Sequence, residues 1–260
     1  MKPTFWCLDF DGVLCDSARE TGAAAWKAGR TLWPEWPAAE PPPALLERFR
    51  GLRPLLETGW QAILLLRLLE QGTPPAALAA DFAAHIEAAC QAAGRTVPEL
   101  VRLFGETRDR WLAEAPEDWL ARHRFYPGVA AALTAALAYG PVAILTTKQE
   151  RFTRRLLAAA GVEFPAARIF GLDRGRSKEA TLAELLAGAE SATAEFALVE
   201  DRLATLERIA ERPELAAVRL IFAAWGYSTP AERARAAAQP RIESWPLGRF
   251  TAALAAPHSR

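Results

Sequence analysis

Thr4-Phe5-Trp6-Cys7-Leu8-Asp9-Phe10-Asp11-Gly12 is the stretch whose reading decides the fold. Its apolar run shows no polar alternation, which predicts a strand buried on both faces, as in a parallel sheet covered by helices. The run halts at two carboxylates spaced two residues apart. The same pattern returns twice: Val142-Ala143-Ile144-Leu145 stops at Thr146, and Phe196-Ala197-Leu198-Val199 stops at Glu200 and Asp201. In open parallel sheets, ligands bind beyond the carboxyl ends of the strands. Asp9, Thr146 and Asp201 are therefore expected at one rim.

Helical patterns follow these runs, at Glu150 to Ala159 and at Leu203 to Ala210. A fourth strand is expected over Val218 to Ala223, ending at Trp225-Gly226-Tyr227. Ser228 or Thr229 then caps a helix near Pro230 to Ala237. Strands alternating with helices of this length predict an α/β fold with a Rossmann-like parallel sheet core.

One interval breaks the rhythm. About 130 residues separate the first two strands, far more than one crossover helix needs. The intervening pattern is helical over Leu45 to Leu69, Ala76 to Ala93 and Val97 to Leu120, punctuated by Pro41-Pro42-Pro43 and Gly72-Thr73-Pro74-Pro75. The expectation is a core of residues 1–16 and 125–260, with an all-helical cap domain inserted at 17–124.

Composition narrows the class. The 31 Lys and Arg balance the 31 Asp and Glu, so no net field draws nucleic acid or an anionic membrane toward the chain. Three cysteines without ligand or redox spacing fit a reduced compartment, and a cytoplasmic location is expected. Arg67 interrupts Ile63 to Leu69, and Tyr139-Gly140-Pro141 interrupts Ala130 to Leu145, so no membrane span is expected. His85, His123 and His258 show no ligand spacing.

Asp9 and Asp11 crowd two negative charges into one crevice, where each disfavours the other's ionisation. A divalent cation, or a proton shared with substrate, resolves this, and with Asp201 the group offers hard oxygen ligands suited to Mg²⁺. Asp9-Phe10-Asp11-Gly12-Val13-Leu14-Cys15-Asp16-Ser17 resembles the first motif of the haloacid dehalogenase superfamily, in its phosphoglycolate phosphatase and β-phosphoglucomutase-like branch. Ile144-Leu145-Thr146-Thr147-Lys148 is similar to the second motif, Lys178 to the third and Val199-Glu200-Asp201 to the fourth. Lys178 lies 32 residues after Thr146, and Asp201 lies 23 after Lys178. Phe125-Tyr126-Pro127-Gly128-Val129, Thr146-Thr147-Lys148-Gln149 and Glu200-Asp201-Arg202-Leu203-Ala204-Thr205-Leu206 also look like uncharacterised plant and cyanobacterial members, a kinship that supplies no substrate.

The resemblance implies a phosphohydrolase acting on a small phosphorylated metabolite. Asp9 is then the nucleophile that forms an aspartyl-phosphate, and Asp11 the general acid and base. Mg²⁺ is implied on Asp9, the Asp11 carbonyl and Asp201, with Glu200 a further candidate ligand. Thr146 and Lys178 are implied as phosphoryl-oxygen partners, and Thr147 and Lys148 as substrate contacts. Thr147 stands where the family usually has Asn, and Lys178 lacks the Pro often beside it. Arg50 and Arg53, with Glu57, are candidates for a specificity patch, although Arg53 and Glu57 also read as an ordinary helical i, i+4 pair. A phosphomutase using the same aspartates, and a non-catalytic binding protein on a borrowed fold, are the alternatives.

Overall fold

The computed structural model describes residues 2–36, 39–188 and 193–257; His258 lies outside them. Its contacts divide the chain into two compact units, Met1–Asp16 with Arg124–Arg260, and Ser17–His123.

In the first unit, six parallel strands form one sheet: β1 (Thr4–Leu8), β4 (Val142–Leu145), β5 (Ile169–Phe170), β6 (Glu195–Glu200), β7 (Arg219–Ala223) and β8 (Ile242–Trp245), in the order β5-β4-β1-β6-β7-β8. The short strands β2 (Cys15–Asp16) and β3 (Arg124–Phe125) pair antiparallel as a separate ribbon. Burial follows the apolar runs. All four residues of β4 are buried, and β1 and β6 are buried everywhere but at their first residue. Phe5 stacks on Phe196 across β1 and β6, with centroids 4.5 Å apart.

The chain builds outward from β1 through β4 to β5, then crosses back to place β6 on the other side of β1. That reversal is a topological switch point, where open α/β sheets leave a crevice. Register places Leu8 opposite Val199 and Ile144. Asp9, Thr146 and Asp201 therefore leave three adjacent strands at the same edge. The helices Glu150–Ala159 and Leu203–Ala210 occur where periodicity placed them, and Thr229 caps Pro230–Ala238 through a reciprocal capping box with Glu232. Besides the β2–β3 ribbon, two strands of the main sheet escaped the sequence pattern. β5 is two residues long, and β8 carries half-buried Glu243 and Ser244 in an edge position, so neither presents a continuous apolar run.

The second unit is helical among its described residues, but its long segments are broken. Leu45 to Leu69 is not one helix. The helix Pro43–Gly51 ends, a 3₁₀ turn spans Arg53–Leu55, and a new helix runs Gln61–Glu70. Pro54 supplies no backbone N–H to continue the first ladder. Arg53 and Glu57 consequently do not lie on one continuous helix. Ala76 to Ala93 divides at Asp81, whose carboxylate accepts the Ala84 N–H at 3.1 Å and starts the helix Phe82–Ala92. Val97 to Leu120 divides at Ala115, which precedes Pro116 and takes a non-helical conformation.

Inside this unit, the fully buried Glu20 is satisfied by a fork of donors. Arg108 reaches its two oxygens at 2.7 and 2.6 Å, and the Trp119 indole N–H donates to it at 3.2 Å. A carboxylate without solvent needs such pairing. Among the described residues, no helix is long and apolar enough to cross a membrane.

Candidate active site

The rim of the first unit is a small, largely buried cluster of acids and ammoniums. Asp9 follows β1 directly, with its amide held by the Val199 carbonyl at 3.0 Å. The chain then turns sharply, as the Leu14 and Cys15 amides both donate to the Phe10 carbonyl at 2.9 and 3.0 Å. Gly12 sits in this turn at φ +90°, a conformation that favours glycine. A side chain there would also strike Asp201, since a Cβ would lie 1.9 Å from its Oδ2.

Asp9, Glu200 and Asp201 each offer an oxygen within 4.8 Å of the others, and all three are buried. Lys178 begins the helix Lys178–Ala187, capped by the Ser177 hydroxyl on the Ala180 N–H. Its ammonium lies 2.9 Å from Asp9 Oδ1 and 2.5 Å from Glu200 Oε2. The second Glu200 oxygen accepts the Arg202 amide at 3.0 Å. Both Glu200 oxygens are thus engaged, one of them in aiming Lys178 at Asp9.

Asp201 is held differently. Its Oδ2 accepts the Tyr227 N–H at 2.6 Å. Gly226 leaves room for this approach, because a Cβ there would sit 2.4 Å from both Asp201 Cβ and the Gly12 carbonyl. Gly226→Ala is expected to displace Asp201 and to cost about 1–3 kcal/mol of stability, as overpacking does. Chemical denaturation and Mg²⁺ titration check this together. Unchanged values in both would show that the close approach at Gly226 does not hold Asp201 in place.

Thr146 is buried, and its hydroxyl oxygen accepts the Lys148 amide at 3.1 Å. An oxygen that accepts from its own loop has its hydrogen left to donate. Lys148 is buried, with its ammonium 3.3 Å from Asp11 Oδ1. The four acids Asp9, Asp11, Glu200 and Asp201 thus face the two ammoniums Lys148 and Lys178. Burial, and then repulsion from Glu200, raise the Asp9 carboxyl to about 7, against the pull of Lys178. Asp9 and Glu200 hold the Lys178 ammonium charged, raising it above its ordinary value against the opposing effect of burial. An excess of hard oxygen donors over cations fits a divalent cation.

Asp9, Asp11, Thr146, Lys178, Glu200 and Asp201, with Lys148, thus share the rim of one unit. Thr147 adjoins them as the residue after Thr146, partly buried. Arg50 and Arg53 belong to the other unit. There Arg50 donates to Glu47 at 3.2 Å and Arg53 to the Leu56 carbonyl at 3.5 Å. Sequence reading missed the parts played by Gly226 and Tyr227. The signal was present, because Trp225-Gly226-Tyr227 follows a buried strand just as the recognised motifs do.

No protein-family profile matches the chain, and no curated protein matches it. Solved structures do. A predicted phosphoglycolate phosphatase from Haemophilus somnus aligns at a TM-score of 0.58 and 16% identity, over 97% of this chain and 98% of that one. A haloacid dehalogenase-like family hydrolase from Streptococcus pneumoniae aligns at 0.55 and 14%, over 96% and 98%. A hydrolase of the same family from Deinococcus radiodurans, solved with bound phosphate and sodium, aligns at 0.50 and 18%, over 96% and 94%. The fold is therefore that of haloacid dehalogenase-like hydrolases.

Proposed function

We propose that this chain is a Mg²⁺-dependent phosphomonoester hydrolase that works through an aspartyl-phosphate on Asp9. The observation that carries the reading is the Lys178 ammonium 2.9 Å from Asp9 Oδ1, beside a buried triad of carboxylates. A nucleophilic carboxylate must meet a phosphate that carries like charge, and that encounter needs fixed cations. Lys178 supplies one. Asp9, Asp201 and the Asp11 carbonyl would hold Mg²⁺, with Glu200 close enough to join them. When bound, Mg²⁺ neutralises charge between the nucleophile and the phosphate oxygens.

In the first step an Asp9 oxygen bonds to phosphorus and the bond to the leaving oxygen breaks. Asp11 gives that oxygen its proton. In the second step Asp11 takes a proton from water as the water oxygen bonds to phosphorus, releasing inorganic phosphate and restoring the Asp9 carboxylate. Thr146 donates its hydroxyl hydrogen to a phosphoryl oxygen. Lys148 holds the Asp11 carboxylate in place, and Thr147 contributes a substrate contact. The names of the phosphatase neighbours agree with a small phosphorylated metabolite as substrate, and the thiols of Cys7, Cys15 and Cys90 agree with a reduced, cytoplasmic compartment.

Release of p-nitrophenol from p-nitrophenyl phosphate, with and without Mg²⁺, tests the reaction, and a panel of phosphorylated metabolites then identifies the substrate. Asp11→Asn is expected to slow turnover of a poor leaving group by roughly 10²- to 10⁴-fold, the range for a lost general acid. Its Mg²⁺ affinity should stay close to wild type, since only the backbone carbonyl is a proposed ligand. The reading fails if neither p-nitrophenyl phosphate nor any of the metabolites is turned over in a metal-dependent way.

A further inference from the structure

The loop after β7 joins two places that the proposed reaction does not otherwise connect. Trp225 stacks on Phe250 with centroids 5.0 Å apart, and its indole N–H donates to the Val13 carbonyl at 3.1 Å. Tyr227, two residues on, is bonded at both ends. Its amide donates to Asp201 Oδ2 at 2.6 Å, and its hydroxyl donates to Asp16 Oδ1 at 2.6 Å. Its ring lies against Gly12, where a Cβ would come within 2.9 Å of Tyr227 Cδ2.

Asp16 is no ordinary acceptor. It is the last residue of the first unit before the chain enters Ser17–His123, and it pairs with Arg124, the first residue on return. The β2–β3 ribbon therefore carries both connections to the helical unit. It has only two residues per strand, and so short a pair is marginal without outside anchors. Outside anchors include the Phe10 ring, edge-on to Phe125 with centroids 5.8 Å apart, the Trp225 indole on the Val13 carbonyl, and the Tyr227 hydroxyl on Asp16. The last is charge-assisted, the stronger kind, and the same residue grips Asp201.

We propose that Tyr227 is a positioning residue that couples cation binding at Asp201 to the order of the β2–β3 linker ribbon. The inference rests on Asp201 holding a cation, as in the proposed function. A cation that fixes Asp201 also fixes the Tyr227 amide, and through the ring and hydroxyl it fixes Asp16. By linkage, what orders one end orders the other.

Amide hydrogen exchange at residues 13–16 and 124–126, with Mg²⁺ absent and saturating, tests this. In the wild type, Mg²⁺ is expected to slow exchange in these segments by roughly tenfold, the worth of one hydrogen bond to a charged group. In Tyr227→Phe, which loses one oxygen atom, the effect of Mg²⁺ should shrink to less than about twofold by the same reasoning. Asp16→Ala should behave alike, and the double variant should lose no more than either single one. Loss of a hydroxyl that served only to support the fold would speed exchange equally with and without Mg²⁺. That result, additive losses, or a wild type indifferent to Mg²⁺ would overturn the coupling. Titration calorimetry separates the two levels. A wild type that binds Mg²⁺ without a change in exchange sinks the coupling alone, whereas one that binds no Mg²⁺ sinks the functional reading and the coupling with it.

Discussion

Asp9→Asn is expected to lower kcat for phosphomonoester hydrolysis by roughly 10⁴-fold or more, the scale of losing a nucleophile from groups that act as a unit. The amide keeps nearly the shape of the carboxylate, so packing gives no reason for such a loss. The chemistry does. An amide oxygen carries no formal charge to attack phosphorus, and the covalent intermediate cannot form. The substitution also removes one of the three carboxylates gathered within 4.8 Å, which should weaken Mg²⁺ binding measurably. Steady-state kinetics with acid-quench trapping of phosphorylated protein checks both halves of the claim. Turnover within tenfold of wild type, or phosphoryl label retained on the variant, would remove Asp9 from its assigned role.

Lys178→Met should act on stability as much as on rate. The lysine side chain is 13% exposed and bridges Asp9 and Glu200, whose side chains are 10% and 1% exposed. Removing one partner of a buried ion pair leaves the other charge uncompensated, which costs on the order of 3–5 kcal/mol. Methionine fills much of the space left by the aliphatic stem, so the loss reports on charge more than on volume. The sign of the pH dependence follows from Asp9, whose carboxyl already stands at about 7 through burial and Glu200. A carboxyl raised in the fold binds its proton more tightly when folded than when unfolded. Its penalty is therefore full above about 7 and disappears as pH falls toward its unfolded value. Without Lys178 the folded-state pKa of Asp9 moves higher still, so the stability gap between variant and wild type should narrow on acidification. Saturating Mg²⁺ should narrow it at neutral pH, because without the ammonium on Asp9 and Glu200 the variant binds the cation more tightly, and tighter binding to the folded state stabilises it more. On rate, losing a donor to the transferring phosphoryl group should cost roughly 10²- to 10³-fold in kcat. Urea denaturation across pH in a chelating buffer, followed by kinetics with Mg²⁺, separates the two effects. Denaturation curves that coincide at every pH would mean that Lys178 is not the counter-ion of this cluster.

These two residues also show how unevenly the site could be read. Asp9 ends a buried apolar run, and a run of that kind specifies its own local structure, so the position of the carboxylate was visible in one dimension. Lys178 has no such frame. It precedes an unremarkable helix, and only its interval from Thr146 and Asp201 marked it. That Glu200 aims it at Asp9 depends on β6 lying beside β1, a pairing between residues nearly 200 positions apart. Lys148 was expected to meet substrate, and that its ammonium lies 3.3 Å from Asp11 Oδ1 was not announced by any spacing. Arg53 and Glu57 looked like a helical pair only while Leu45 to Leu69 looked like one helix.

The amino-acid sequence by itself determined the α/β class, the four main strands and the acids and donors at their carboxyl ends, because burial on both faces and strand termination are local properties of composition and order. Tertiary structure alone decided which strands are neighbours, which ammonium serves which carboxylate, and that Gly12, Gly226 and Tyr227 close around Asp201. Those contacts join residues far apart in the chain, and their energies exist only once the sheet has brought its strand ends to a common edge.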